Sequence, residues 1–173
     1  EDSTDEYAVS VAASLAKRFL SEGMPVGLIV YGTEKVLLQA DTGAAQIDRI
    51  LASLASSEAE GLVPIADALV DDEANWSHHT TLVVVTSSPR SDWSAALEQL
   101  ARRRVKVAAV LVDGQSFGGF FDSRESLPHL ESAGIPTYVV ASGDDIPTAL
   151  SATHRVIGAP QLVSTATQGR HGL

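Results

Sequence analysis

Residues 80–87 read Thr-Thr-Leu-Val-Val-Val-Thr-Ser, an unbroken apolar run of strand length between hydroxyl residues. A strand with one wet face alternates apolar and polar side chains, so a run without alternation fits a strand covered on both faces. Residues 105–112 (VKVAAVLV) and 136–142 (PTYVVAS) repeat the type. Helical spacing falls between these runs: Trp93, Ala96, Leu97, Leu100 and Ala101 form one apolar face, Leu127 and Leu130 a shorter one, and a last helix starts from about Asp145. Alternating helices and two-face-covered strands predict an α/β domain with a three-layer, doubly wound, mostly parallel sheet.

Upstream of residue 80 the pattern changes. PVGLIVYG (25–32) and KVLLQAD (35–41) are separated by a short Gly-Thr-Glu link and predict a strand pair that adds one antiparallel edge strand. Ile47, Ile50, Leu51 and Leu54 predict a helix, and Ile65, Ala68 and Leu69 a shorter one after the break at Gly61 and Pro64. The opening STDEYAVSVAASLAKRFLSEG (3–23) has Ser3 three residues before Glu6, the spacing of a capping box. A helix is therefore expected near Thr4, ending at Gly23. Its apolar positions, from Tyr7, Val11, Leu15 and Phe19 to Val9, Ala13 and Leu20, are too wide a band for a surface helix. Such a helix needs a sheet face, and doubly wound domains supply one by opening on a central strand. The first central strand is expected to be missing here, or replaced by the tail or a neighbouring molecule. Residues 1–158 are read as one domain and 159–173 as a loosely held polar tail.

Twelve Lys and Arg against 22 Asp and Glu give a formal net charge of -10, which repels phosphate backbones and anionic lipid. Nucleic acid and direct membrane contact by this segment are disfavoured. Without cysteine there is no disulfide and no thiolate-held metal. No apolar stretch reaches eighteen residues, and EDSTDEY lacks the pattern of a secretory signal.

The order of elements, with GLVPIADAL (61–69) ahead of the VVVT strand, resembles the von Willebrand factor A fold. STDEYAVSVAASLAKRFLSEGMPVGLIVYG (3–32) is similar to the opening block of a bacterial family of unknown function that carries such a domain, often beside a MoxR-type AAA+ ATPase. The resemblance runs from about Ser3 to Leu150. It implies a membrane-anchored parent, an A-like domain facing the cytoplasm and an ATPase partner.

A-domains that bind metal hold a divalent ion above the carboxyl ends of the central strands. Where the resemblance asks for a Thr, this chain has Val63, and where it asks for an Asp after Thr86, it has Ser87. A hard cation needs several oxygen ligands, generally with a carboxylate, so the resemblance implies a degenerate metal site with no cofactor. The strand-end crevice still suits a partner. The expected contact residues are Val63, Thr86, Ser87, Ser88 and Asp113, joined by Phe117, Phe120 and Phe121 of the loop DGQSFGGFFDS (113–123), which holds three of the four phenylalanines. Those rings either anchor an interface or fold back onto the core. The expected function is non-enzymatic protein binding. The alternatives are a magnesium-dependent adhesion domain completed by upstream residues, and a hydrolase or nucleotide-binding enzyme on a doubly wound sheet.

The remaining polar groups read as structural. Ser87 or Ser88 with His129 or His154 and Asp113 or Asp144 lacks the Gly-x-Ser-x-Gly elbow of a nucleophile. His78 and His79, adjacent on an extended chain, are expected to point opposite ways in a solvated loop. Asp71, Asp72 and Glu73 are expected on a solvated face, and Arg102, Arg103 and Arg104 to complement the negative end of a helix.

Overall fold

The computed structural model describes residues 3–57 and 63–151. Helix α1 spans Thr4–Ser21. Its start is the expected box: Glu6 N donates to Ser3 Oγ at 3.2 Å and Ser3 N donates to Glu6 Oε2 at 3.1 Å, so two of the four orphan donors of the first turn are satisfied. Gly23, at φ 78°, turns the chain out of the helix and into a hairpin. Strand β1 (Val26–Tyr31) and strand β2 (Lys35–Asp41) pair antiparallel, from Leu28 opposite Leu38 to Tyr31 opposite Lys35. The register slips between Val26 and Leu28. There a side chain on Gly27 would come within 2.8 Å of the Leu38 carbonyl oxygen, so only glycine fits the close approach. Helix α2 (Ala44–Ser56) packs Ile50 and Leu54 over the hairpin. The buried Gln46 amide donates to Val26 O at 2.8 Å and Gln39 O at 2.9 Å, pinning α2 to both strands.

The second half alternates as expected: α3 (Ile65–Asp71), β3 (Thr81–Thr86), α4 (Asp92–Arg102), β4 (Lys106–Val112), α5 (Leu127–Ser132), β5 (Thr137–Val140) and a single turn, α6 (Ile146–Ala149). β3, β4 and β5 form a parallel sheet in that order. Successive β4 residues face opposite layers: Ala109 and Leu111 join Trp93, Leu97 and Leu100 of α4, while Val110 joins Val11 and Leu15 of α1 and Tyr138 of β5. Helices thus cover both faces, and each fully buried aliphatic chain stabilises by about 1.5 to 3 kcal/mol.

The fold is mixed α/β, as expected, but among the described residues the five strands lie in two sheets rather than one: β1–β2 stands apart from β3–β4–β5. Two-face cover is complete for β4, buried from Val107 to Val112, whereas in β3 Leu82, Val83 and Val85 are only half-buried. No helix among the described residues is long and apolar enough to cross a membrane. The tail expected at 159–173 lies outside the described residues.

One local expectation is corrected and a second is extended. Asp72 is not on a solvated face: it is 2% exposed and accepts hydrogen bonds from the Tyr31 hydroxyl, from Lys35 Nζ at 2.7 Å and from Asn75 Nδ2 at 3.0 Å. The helix ends one residue earlier, so the capping residue turns inward while Asp71 remains outside. The three arginines do more than face a helix pole. Arg102 pairs with Glu98 at 2.5 Å and Arg103 with Glu73, and Arg104 adopts φ 66°. That left-handed backbone costs a side-chain-bearing residue about 1 kcal/mol or more. Arg104→Gly is accordingly expected to stabilise the fold by about 0.5 to 1 kcal/mol, read as a higher urea midpoint at unchanged m-value.

Candidate functional site

The candidate residues are drawn together at the carboxyl ends of β3 and β4. Thr86, buried at the end of β3, accepts from Ser88 N at 2.9 Å through its hydroxyl, and Ser88 Oγ accepts from Arg90 N at 3.3 Å. These are local hydroxyl turns of the kind Ser and Thr form where a strand stops, and they leave the oxygens engaged with backbone. Asp113, buried at the end of β4, pairs with Arg124 at 2.8 Å and accepts from Gln115 N at 3.2 Å. Ser123 joins the two strand ends: its hydroxyl donates to Ser87 O at 3.0 Å and accepts from Gly114 N at 3.3 Å.

The network continues to β5 and α1. Ser116 Oγ donates to Asp113 O at 2.6 Å and accepts from Ser142 N at 2.8 Å, while the Tyr7 hydroxyl accepts from Gly143 N at 3.0 Å. Val63 takes no part in this hydrogen bonding, and its side chain is 42% exposed. Gly61 and Leu62 lie outside the described residues.

The phenylalanine loop divides between its two expected fates. Phe117 folds back and meets the Tyr7 ring edge-on at 4.7 Å, a favoured aromatic geometry. Phe120 and Phe121 project outward, 97% and 71% exposed. The backbone enforces the split. Gly118 turns the chain at φ 84°, and a side chain on Gly119 would stand 2.8 Å from the Gly114 carbonyl oxygen. The loop is therefore closed on its own backbone and braced beyond the rings by Asp122, which accepts from Arg124 N at 2.8 Å.

As a place for a hard cation the strand ends fit poorly. The Asp113 carboxylate is committed to Arg124 and a backbone amide, the Thr86 and Ser88 hydroxyls to turns, and Val63 offers no oxygen. Among the described residues no three His, Cys, Asp or Glu side chains gather in one place. Among the described residues the triad-like set is not assembled either. His129 on α5 pairs with Glu98 on α4 at 2.9 Å, Asp144 accepts from Ala141 N at 2.8 Å, and His154 lies outside the described residues. His78 and His79 are exposed as expected, but their rings lie together at 3.9 Å, because the chain turns there rather than extending.

Arg124 and Ser123 were not among the residues the sequence singled out, although their hydrogen bonds hold the strand ends together. The cluster of Tyr31, Lys35, Asp72 and Asn75 was missed as well. In it burial pushes the Asp72 carboxyl up, but hydrogen bonds from Lys35 and Tyr31 outweigh burial and hold it below the ordinary carboxylate range. The Lys35 ammonium is raised, chiefly by its bond to Asp72, and the Tyr31 hydroxyl is raised by burial and by the same carboxylate.

A mixed α/β domain with a hydroxyl-lined strand edge and an exposed aromatic loop is the class of protein these features define. Comparison of the chain with protein-family models, curated proteins and solved structures gives no match.

Proposed function

We propose that the chain is a non-enzymatic protein-interaction module that docks through Phe120 and Phe121 and the neighbouring strand ends. The observation carrying this reading is the presentation of two adjacent, exposed aromatic rings on a loop held by its own backbone and by Ser123. Large apolar side chains gain most by leaving water, and a braced loop loses little entropy on docking, which is how aromatic anchors come to dominate interfaces. Ser87 and Ser88, half-buried, supply a polar rim beside them and exposed Val63 extends the surface, while the buried Thr86 and Asp113 support the strand ends from within rather than making contact themselves.

In this reading the fold is a von Willebrand factor A-like variant whose metal site is degenerate. The parent is a membrane-anchored bacterial protein with this domain on its cytoplasmic face, and the partner is a MoxR-type AAA+ ATPase. Support comes from the layer order, the parallel β3–β5 sheet and the resemblance of residues 3–32. The test is binding of the 173-residue chain to a purified MoxR-type ATPase, with magnesium and with EDTA. Equal affinity in both is expected, with no change in melting temperature on adding magnesium. A functional metal site at a hundredfold excess of ion over its dissociation constant would instead add about 2.7 kcal/mol of stability and favour the adhesion-domain alternative. Absence of binding in both buffers would remove the ATPase as partner.

A further inference from the structure

The edge that carries Phe120 and Phe121 also gathers carboxylates without counter-charges. α1 opens there with Asp5 and Glu6, because the next residue, Tyr7, meets the Phe117 ring edge-on and accepts from Gly143 N at 3.0 Å. Asp144 and Asp145 follow Gly143 directly, and Asp122 and Glu125 follow the two rings in their own loop. Ser116 Oγ, accepting from Ser142 N at 2.8 Å, binds that loop to the one after β5. Among the described residues none of these carboxylates pairs with a cation. Glu6, Asp144 and Asp145 accept from backbone amides or a hydroxyl, which leaves their negative charge in place. The arginines nearby are already committed, Arg124 to Asp113 at 2.8 Å and Arg90 to Asp92 at 2.5 Å.

Two sources of positive charge could offset this edge, and neither does. Arg102, Arg103, Arg104 and Lys106 stand where α4 turns into β4, at the other end of that strand. Seven residues of strand separate the ends by about 20 Å, more than two screening lengths of about 8 Å at physiological salt. The basic end therefore leaves the acidic edge exposed to an approaching partner. The N-terminal dipole of α1 supplies about half a positive charge, against the two full negative charges of Asp5 and Glu6. The edge is thus an aromatic pair set among net negative charge.

We infer that the surface docking on Phe120 and Phe121 is that of a protein whose apolar pocket is rimmed by lysine and arginine. The inference rests on the docking reading of those two rings and names the chemistry of what meets them. Burying the rings brings Asp122, Glu125 and the neighbouring carboxylates out of water. An acidic rim opposite them would add repulsion, and a neutral one would leave them desolvated without compensation. A basic rim instead complements the charge and speeds encounter, and its cations also gain from the faces of the two rings.

The test selects a displayed library of random sixteen-residue peptides on the 173-residue chain and rescores the retained peptides on Phe120→Ser/Phe121→Ser. Peptides that need the rings should be enriched in Lys and Arg beside aliphatic residues. Two triple variants, checked for unchanged melting, then separate a local effect from net charge. Ring-dependent peptides should bind about tenfold more weakly to Asp5→Asn/Glu125→Gln/Asp144→Asn, and less than about twofold more weakly to Glu34→Gln/Asp48→Asn/Asp71→Asn. The second triple removes the same charge from the hairpin turn, α2 and the end of α3. Equal weakening by both triples, or ring-dependent peptides without basic enrichment, overturns the inference while ring docking stands. A selection that yields no ring-dependent peptide removes the docking reading and this inference with it.

Discussion

Replacing Phe120 and Phe121 together by serine is expected to weaken partner binding by about 100-fold or more, roughly 2.7 kcal/mol, while shifting the melting temperature by less than about 2 °C. The separation of the two effects follows from exposure. Neither ring is in the core, so their loss leaves no cavity, and serine suits a turn region. In a complex the same rings would be the largest apolar surfaces to leave water. Phe117→Ser is the contrasting variant: it removes the contact with Tyr7, at the junction of α1 with the loops after β4 and β5, and should lower stability. Calorimetry against the purified ATPase, with thermal melts of each variant, separates the outcomes. Affinity unchanged in the double variant would mean that the partner docks elsewhere.

That division among three nearby phenylalanines marks the limit of what the sequence could convey. Composition identified the loop as aromatic, but which ring turns inward depends on Gly118 lying at φ 84° and on Gly119 packing against Gly114. A string of residue types does not contain those angles. Signals confined to a few neighbouring residues were read well. The capping box at Ser3 and Glu6, the strand runs at 81–86 and 106–112, and the hairpin around Gly32 all lie where their local pattern put them.

Relations between distant segments were harder. Among the described residues five strands divide into two sheets that share α1, a relation that no local run of residues conveys. The likeness to A-domains beyond a mixed α/β layering rests on the resemblance alone. At the strand ends, Thr86, Ser87 and Asp113 do converge, because parallel strands in register bring their carboxyl ends to one edge. Arg124 and Ser123 went unread because they reach that edge from a later loop, with no local motif to announce them.

Asp72 is the extreme case of a non-local role, and Asp72→Ala is expected to cost about 3 kcal/mol near neutral pH, a fall in melting temperature of about 6 to 12 °C. In sequence it is the middle of three acids at a helix end; in the fold it receives Tyr31 and Lys35 from the hairpin, 41 and 37 residues earlier. It thereby ties the two-stranded sheet to α3, across the gap between the sheets. Removing it takes the charged acceptor from the Tyr31 hydroxyl and leaves it only the Ala68 carbonyl at 3.1 Å, while the exposed Asn75 and Lys35, whose side chain is 42% exposed, regain water. That recovery keeps the cost below that of a fully enclosed pair. The carboxyl is held below its ordinary range, so its contribution is present above the unfolded carboxylate value and disappears as pH falls through the lower folded one. Lys35 is raised, so its contribution is present below the ordinary lysine value and disappears as pH rises through the higher folded one. The stability gap between the parent chain and Asp72→Ala should therefore be flat from about pH 5 to 9 and narrow below about pH 4 and above about pH 10.5. Urea unfolding across that range measures the gap directly. A gap that persists undiminished in acid would show that Asp72 contributes by packing and not by charge, and that the hairpin is held to α3 by something other than this carboxylate.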